Sequence, residues 1–194
     1  MPTPFLLNGI LASQISGHLY SGPTGAFDAL GSVTVGSGGQ SSITFSAIPQ
    51  TYTHLQIRAI ARETGSGTGS DNFYMQFNGD TSNSYSWHLL YGSGSGSGSE
   101  SSAINQTSIT GNGMAAGADL INAYGASIID ILDYANIYKN KTTRSLSGDD
   151  LNGSGYIQFV SGNWRSTNAI TSIVLAPQNN SFAVNSQFSL YGIR

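Results

Sequence analysis

The sequence predicts an all-β protein: a single β-sandwich or jelly roll of about eight to ten antiparallel strands, residues 26–194, behind an N-terminal arm, residues 1–25. Three observations carry this. Ten short apolar runs are separated by Gly, Ser and Asn clusters. Several runs alternate apolar and polar residues with period two. No segment offers an amphipathic helix longer than about two turns, so the crossover helices of a parallel sheet are missing.

In chain order, Ser32–Val35, Ser41–Ile48 and Thr53–Arg62 each fit one strand, with turns at Gly36–Gly39 and Pro49–Tyr52. In Thr53–Arg62, Leu55, Ile57, Ala59 and Ala61 point one way, and His54, Gln56, Arg58 and Arg62 the other. Asn72–Asn78 sets Phe73, Met75 and Phe77 against Tyr74 and Gln76; Tyr85–Tyr91 sets Trp87 and Leu89 on one face. Ser93–Glu100 is a Gly-Ser repeat that reads as an exposed loop tip. Ser101–Gly117 has no clear pattern beyond weak pairing at Thr107–Thr110. Ala126–Ile137 is the most apolar run, with Ile129 and Ile131 on one face and Ile128, Leu132 and Tyr134 on the other. Apolar groups on both faces predict a strand covered on both sides, by the core and by a neighbour or the arm. Thr142–Leu146, Gly155–Val160, Ile170–Ala176 and Gln187–Ile193 complete the set.

The arm is punctuated by Pro2, Pro4, Gly9, Gly17, Gly22 and Pro23, which break any long element. Its Phe5, Leu6, Leu7, Ile10, Leu11 and Ile15 still need burial, either on a partner or across its own sandwich. These six are the candidate partner-binding residues.

Composition narrows the function classes. At 194 residues the chain suits one domain, and its apolar content of 39% supports a core. Charged residues are only 9%, against about 25% in a typical domain. Ser, Thr, Asn and Gln therefore cover the surface, and association desolvates little charge. A net charge of −3 without a basic run excludes an obvious nucleic-acid partner. The absence of cysteine excludes a disulfide scaffold, thiolate metal sites and thiol catalysis. No apolar run approaches the ~20 residues of a helical membrane span. Phe5–Ala12 has no preceding Lys or Arg, so neither a signal peptide nor a membrane partner is expected.

The chemistry-bearing residues favour plain roles. His18, His54 and His88 sit on three separate segments with no zinc-like spacing. Asp130 and Asp133 lie on opposite faces of one strand, so they form no facing pair, and Arg144 or Lys141 is the simpler partner. Asp150–Gly155 opens like a calcium loop, but Ser161 stands where the bidentate acid belongs, so a hairpin turn is expected. Phosphate-binding and nucleophile-elbow motifs are missing from strand-to-helix context. Tyr20, Tyr52, Tyr74, Tyr85, Tyr91, Trp87 and Trp164 suit a core or an interface, with a sugar-binding face as the alternative. No enzyme, cofactor or metal is expected.

Five segments resemble virion structural proteins of tailed bacteriophages common in aquatic phages: Ile10–His18, Ser32–Gly39, Ile43–Arg58, Ile128–Asn136 and Phe188–Arg194. The likeness covers most of the chain from Ile10 onward. It implies a structural role without a set of functional residues. The corresponding expectation is a jelly-roll capsid decoration (cement) protein on the virion surface. It would be a homo-oligomer, a trimer, that clamps major capsid protein subunits, with Phe5–Ile15 as one anchor. The alternative is a tail-fibre or adhesin module recognising host glycan, with Ser93–Ser99 and Gly111–Gly117 as a variable tip.

Overall fold

The structure, a computed structural model, describes residues 25–94 and 99–194, with side chains given for all of these except Ser99 and Glu100. The arm residues Phe5, Leu6, Leu7, Ile10, Leu11 and Ile15, together with His18 and Tyr20, lie outside the described residues.

The described chain is all-β. Its strands are β1 (Phe27–Thr34), β2 (Ile43–Phe45), β3 (His54–Ala61), β4 (Ser70–Phe77), β5 (Tyr85–Gly92), β6 (Ser99–Gln106), β7 (Ile109–Ala115), β8 (Gly125–Leu132), β9 (Lys141–Asp150), β10 (Gly155–Trp164), β11 (Ile173–Pro177) and β12 (Gln187–Ile193). They form an eight-stranded sheet, β1-β12-β3-β8-β9-β10-β5-β6, and a four-stranded sheet, β2-β11-β4-β7. Every pairing between these strands is antiparallel, and one isolated bridge, Arg62 to Ala115, is parallel. The first four strands of the large sheet and the four of the small one correspond in order: β1 with β2, β12 with β11, β3 with β4, β8 with β7. Each corresponding pair is consecutive in the chain. The hairpins β5–β6 and β9–β10 extend the large sheet beyond that shared frame.

One core lies between the sheets. Leu55, Ile57, Ile129, Ile131, Val160 and Leu190 from the large sheet meet Ile43, Phe73, Met75, Phe77, Ile173 and Leu175 from the small one, all at most 2% exposed. Period-two burial is clean in β3, where Leu55, Ile57, Ala59 and Ala61 are inward.

Twelve strands stand against the eight to ten expected, and the excess comes from Ser99–Ala115, which holds two strands. β7 lies almost wholly buried, so Gly111–Gly117 is no exposed tip. Its glycines let the backbone approach the large sheet: a Cβ on Gly113 would stand 2.6 Å from Gln158 Oε1. Gly113 N instead donates to Ser147 Oγ at 2.9 Å. The Ala126–Ile137 strand is also shorter than expected. It ends at Leu132, because Asp133 adopts a left-handed φ of 49° and turns the chain. Tyr134 consequently points into the core, at 0% exposed, instead of sharing a face with Ile128.

Asp150–Gly155 is the hairpin turn expected. Asn152 and Gly153 carry φ of 58° and 111°, the double left-handed signature of a tight hairpin, and Asp150 Oδ1 accepts the Asn152 N–H at 2.9 Å.

One buried carboxyl shapes the pH response. Glu63 is 2% exposed, and burial pushes its pKa up from the ordinary 4.5, with the Asp71 carboxyl adding to the rise. Asn180 Nδ2 and Gly65 N donate to Oε1 and oppose it. The folded state therefore prefers the protonated acid. Its contribution to stability is fully present below pH 4.5 and is lost as pH rises through the raised pKa. Glu63→Gln keeps the same acceptor and carries no charge. Urea unfolding at pH 4.5 and 7.5 should show that the variant gains stability relative to the parent at the higher pH.

Candidate functional site: the outer face of the large sheet

β3, β8, β9, β10 and β5 turn one side inward, so their alternate residues point away from the small sheet. Register brings these residues into transverse rows. One row runs Arg58, Ile128, Leu146, Phe159, Leu90 across five strands. The next runs Ile60, Ala126, Gly148, Ile157, Gly92. Ile60, Leu90, Ile128, Leu146, Ile157 and Phe159 are 45–67% exposed. Strands about 4.8 Å apart and residues about 6.8 Å apart along each strand give a stripe of roughly 19 by 14 Å, on the order of 300 Å². That lies at the low end of the largest apolar patches on monomers, which are often functional.

The stripe has polar borders. On one side the row Gln56, Asp130, Arg144, Ser161, His88 crosses the same five strands. Gln56 Nε2 donates to Asp130 Oδ1 at 2.8 Å across the β3–β8 pair. At the β3 end Arg58 is held over the Phe27 and Tyr191 rings, at 5.3 and 5.0 Å from their centroids. At the other end lies a groove of about 610 Å³ lined by His88, Leu90, Ser102, Phe159 and Ser161. A second, almost wholly apolar depression of about 300 Å³ lies over Ile128, Leu146 and Ile157. The groove sets His88 beside Ser101, Ser102 and Ser161, with Leu90 and Phe159 as its apolar wall.

The sequence-picked chemistry scatters. Asp130 and Asp133 do not converge: Asp130 accepts from Gln56, while the Asp133 carboxylate pairs with Lys139 and its backbone N–H donates to His54 Nδ1 at 2.9 Å. The expected partners, Arg144 and Lys141, are thus replaced. The Lys139 hydrogen bond holds the Asp133 carboxyl below its ordinary range despite partial burial, with the ammonium charge and His54 adding to the effect. Lys141 is instead 0% exposed and donates to the carbonyls of Asn136, Lys139 and Thr167, pinning the β8–β9 connection. Burial pushes its pKa down. His88 lies in the groove between its cross-strand neighbours Ser161 and Ser102. Among the described residues, three His, Cys, Asp or Glu side chains converge nowhere to form a metal site.

The aromatics divide. Tyr85 and Trp164 are core residues; Tyr52 and Trp87 are half-buried against it; Tyr91 meets Tyr156 at the open end of the sandwich. The exposed stripe was not assembled by sequence reading. Its one signal was Ile128, an apolar residue on the face opposite Ile129 and Ile131. The chain matches no family model, and no curated protein resembles it at a significant level.

Proposed function

We propose that this chain is a virion structural protein, a capsid decoration protein that binds and stabilises the assembled major-capsid shell as a homotrimer. The observation that carries the reading is the exposed apolar stripe on the outer face of the large sheet. The phage-like segments and the 9% charge support it. So does the strand order: the correspondence of β1-β12-β3-β8 with β2-β11-β4-β7 is what two Greek keys folded as a jelly roll produce, an architecture used by viral capsid domains.

The stripe faces neighbouring copies, and the arm residues Phe5–Ile15 reach those copies as well as the capsid protein. A stable interface removes about 800 Å² from each partner, so a stripe on the order of 300 Å² is too small to act alone. The arm supplies the remainder. The 24 residues before Gly25 span up to about 80 Å when extended, longer than the stripe is wide. Binding only to the closed shell favours that shell by mass action, and three linked arms add avidity.

Gel densitometry of purified particles tests the reading. Hundreds of copies per particle are expected; a few to a few tens would move the protein to the tail. Removal of residues 2–22 should empty the shell of the protein while the sandwich stays folded.

A further inference from the structure

The small sheet covers only part of the inner face of the large one, and the uncovered end forms a separate cleft. We propose that this cleft is a binding subsite for one neutral sugar ring. It has a volume of about 260 Å³ and is lined by Ser70, Asn72, Leu89, Tyr91, Tyr156 and Gln158. The volume lies just under the range of drug-sized ligands, which suits a single ring.

Three features define what fits. First, Tyr91 and Tyr156 sit with ring centroids 5.7 Å apart, tilted by 49°. Paired rings offer flat apolar walls and hydroxyl tips, suited to a molecule with C–H faces and O–H edges. Second, one residue of the lining, Asn72, carries a buried Oδ1 with no donor. An unsatisfied buried acceptor costs about 1–3 kcal/mol, so it marks a place for a ligand donor. Third, the wall is rigid. Asp149 is 9% exposed; its Oδ1 accepts from Ser70 Oγ and from Tyr156 N, tying β4 to β10. Gln158 is 5% exposed, with Oε1 taken by Ser147 Oγ, which leaves its amide N–H groups as donors. Asp149 itself lines an adjoining hollow of about 470 Å³, with Tyr156 shared between that hollow and the cleft.

Other ligand classes fit worse. A bare divalent cation wants several carboxylates, and the lining side chains of the cleft include none. An anion finds no cationic side chain in the lining. An apolar ligand would leave Asn72 Oδ1 unpaired. A polyol ring donates a hydroxyl hydrogen to it, takes the Gln158 amide, and lays its C–H face on a tyrosine. The subsite is independent of the outer stripe and of whether the protein sits on head or tail.

Saturation-transfer NMR on the isolated protein with glucose, galactose, mannose and N-acetylglucosamine tests it. At least one sugar should receive transfer, with millimolar affinity by titration. Tyr156→Ala and Asn72→Ala should each weaken binding about tenfold or more with unchanged near-UV dichroism. The outer-face variant Leu146→Glu should bind as the parent does. No transfer from any of the four sugars overturns the proposal. So does binding that survives both cleft variants, or that is lost in Leu146→Glu. Because no particle is involved, failure here leaves the decoration reading standing, and the reverse also holds.

Discussion

Replacing Trp164 with alanine should lower the unfolding free energy by about 4 kcal/mol, measured by urea denaturation near neutral pH. Trp164 is 2% exposed, stacks against Tyr85 at 6.2 Å and meets Phe77 at 5.5 Å. Truncation removes that contact and leaves a large cavity at the end of β10. It also removes a donor: Nε1 binds Asp80 Oδ2 at 2.7 Å. Asp80 organises the turn after β4, where Asn78 and Gly79 both take left-handed φ. It also accepts from Ser82 N, Ser82 Oγ and Ser84 Oγ. Burial alone would raise the Asp80 pKa, but these hydrogen bonds to the charged form hold it far below its ordinary 3.8. The folded pKa is depressed. Its contribution is therefore complete above pH 3.8 and is lost as pH falls through the lowered value. Trp164→Phe separates packing from hydrogen bonding. It should cost about 1–2 kcal/mol at neutral pH and shrink the loss of stability in acid. A double-mutant cycle with Asp80→Asn should return a coupling near 1 kcal/mol; coupling near zero would mean that the indole acts by volume alone.

Much of the architecture was legible because burial is local in period. In β3, the alternation of Leu55, Ile57, Ala59 and Ala61 is the inward face. The Asp150–Gly155 turn was legible from chemistry, since Asn-Gly is suited to two left-handed residues. β7 was not legible. Its Gly111 and Gly113 bury backbone instead of side chains, so no apolar period marks the strand. β9 misleads in the opposite sense: Thr143, Ser145 and Ser147 are buried while Leu146 is 56% exposed. The small polar residues face inward because the β7 backbone packs there and hydrogen-bonds to Ser147. Read for apolar residues, β9 would be turned inside out. The candidate site was hidden for a further reason. Ile60, Ile128, Leu146, Phe159 and Leu90 stand on five strands, and only the register joins them.

On the proposed decoration role, Leu146→Glu together with Phe159→Glu should convert the proposed trimer to monomer and reduce its occupancy on particles at least a hundredfold. The physical case rests on position. The two residues are direct cross-strand neighbours in the middle of the stripe, and both are substantially exposed in the isolated chain. Replacing exposed side chains on a folded sheet changes stability by little, with one debit here: two like charges directly opposite repel by up to about 1 kcal/mol. The melting temperature should therefore move by only a few degrees. Association responds differently. The apolar centre of the stripe would pack against a partner with little desolvation, and two unpaired carboxylates buried there would each carry a penalty of several kcal/mol. A hundredfold loss corresponds to only about 2.8 kcal/mol, well inside that penalty. Thr142→Glu is the matched control. It is exposed on the outward side of the same strand, but two rows beyond the stripe, so its charge stays solvated and assembly should persist. Light scattering of the purified variants, followed by co-sedimentation with particles stripped of the protein, reads both effects. If the double variant assembles and binds like the parent, the stripe is not the contact surface, and cohesion resides elsewhere in the molecule.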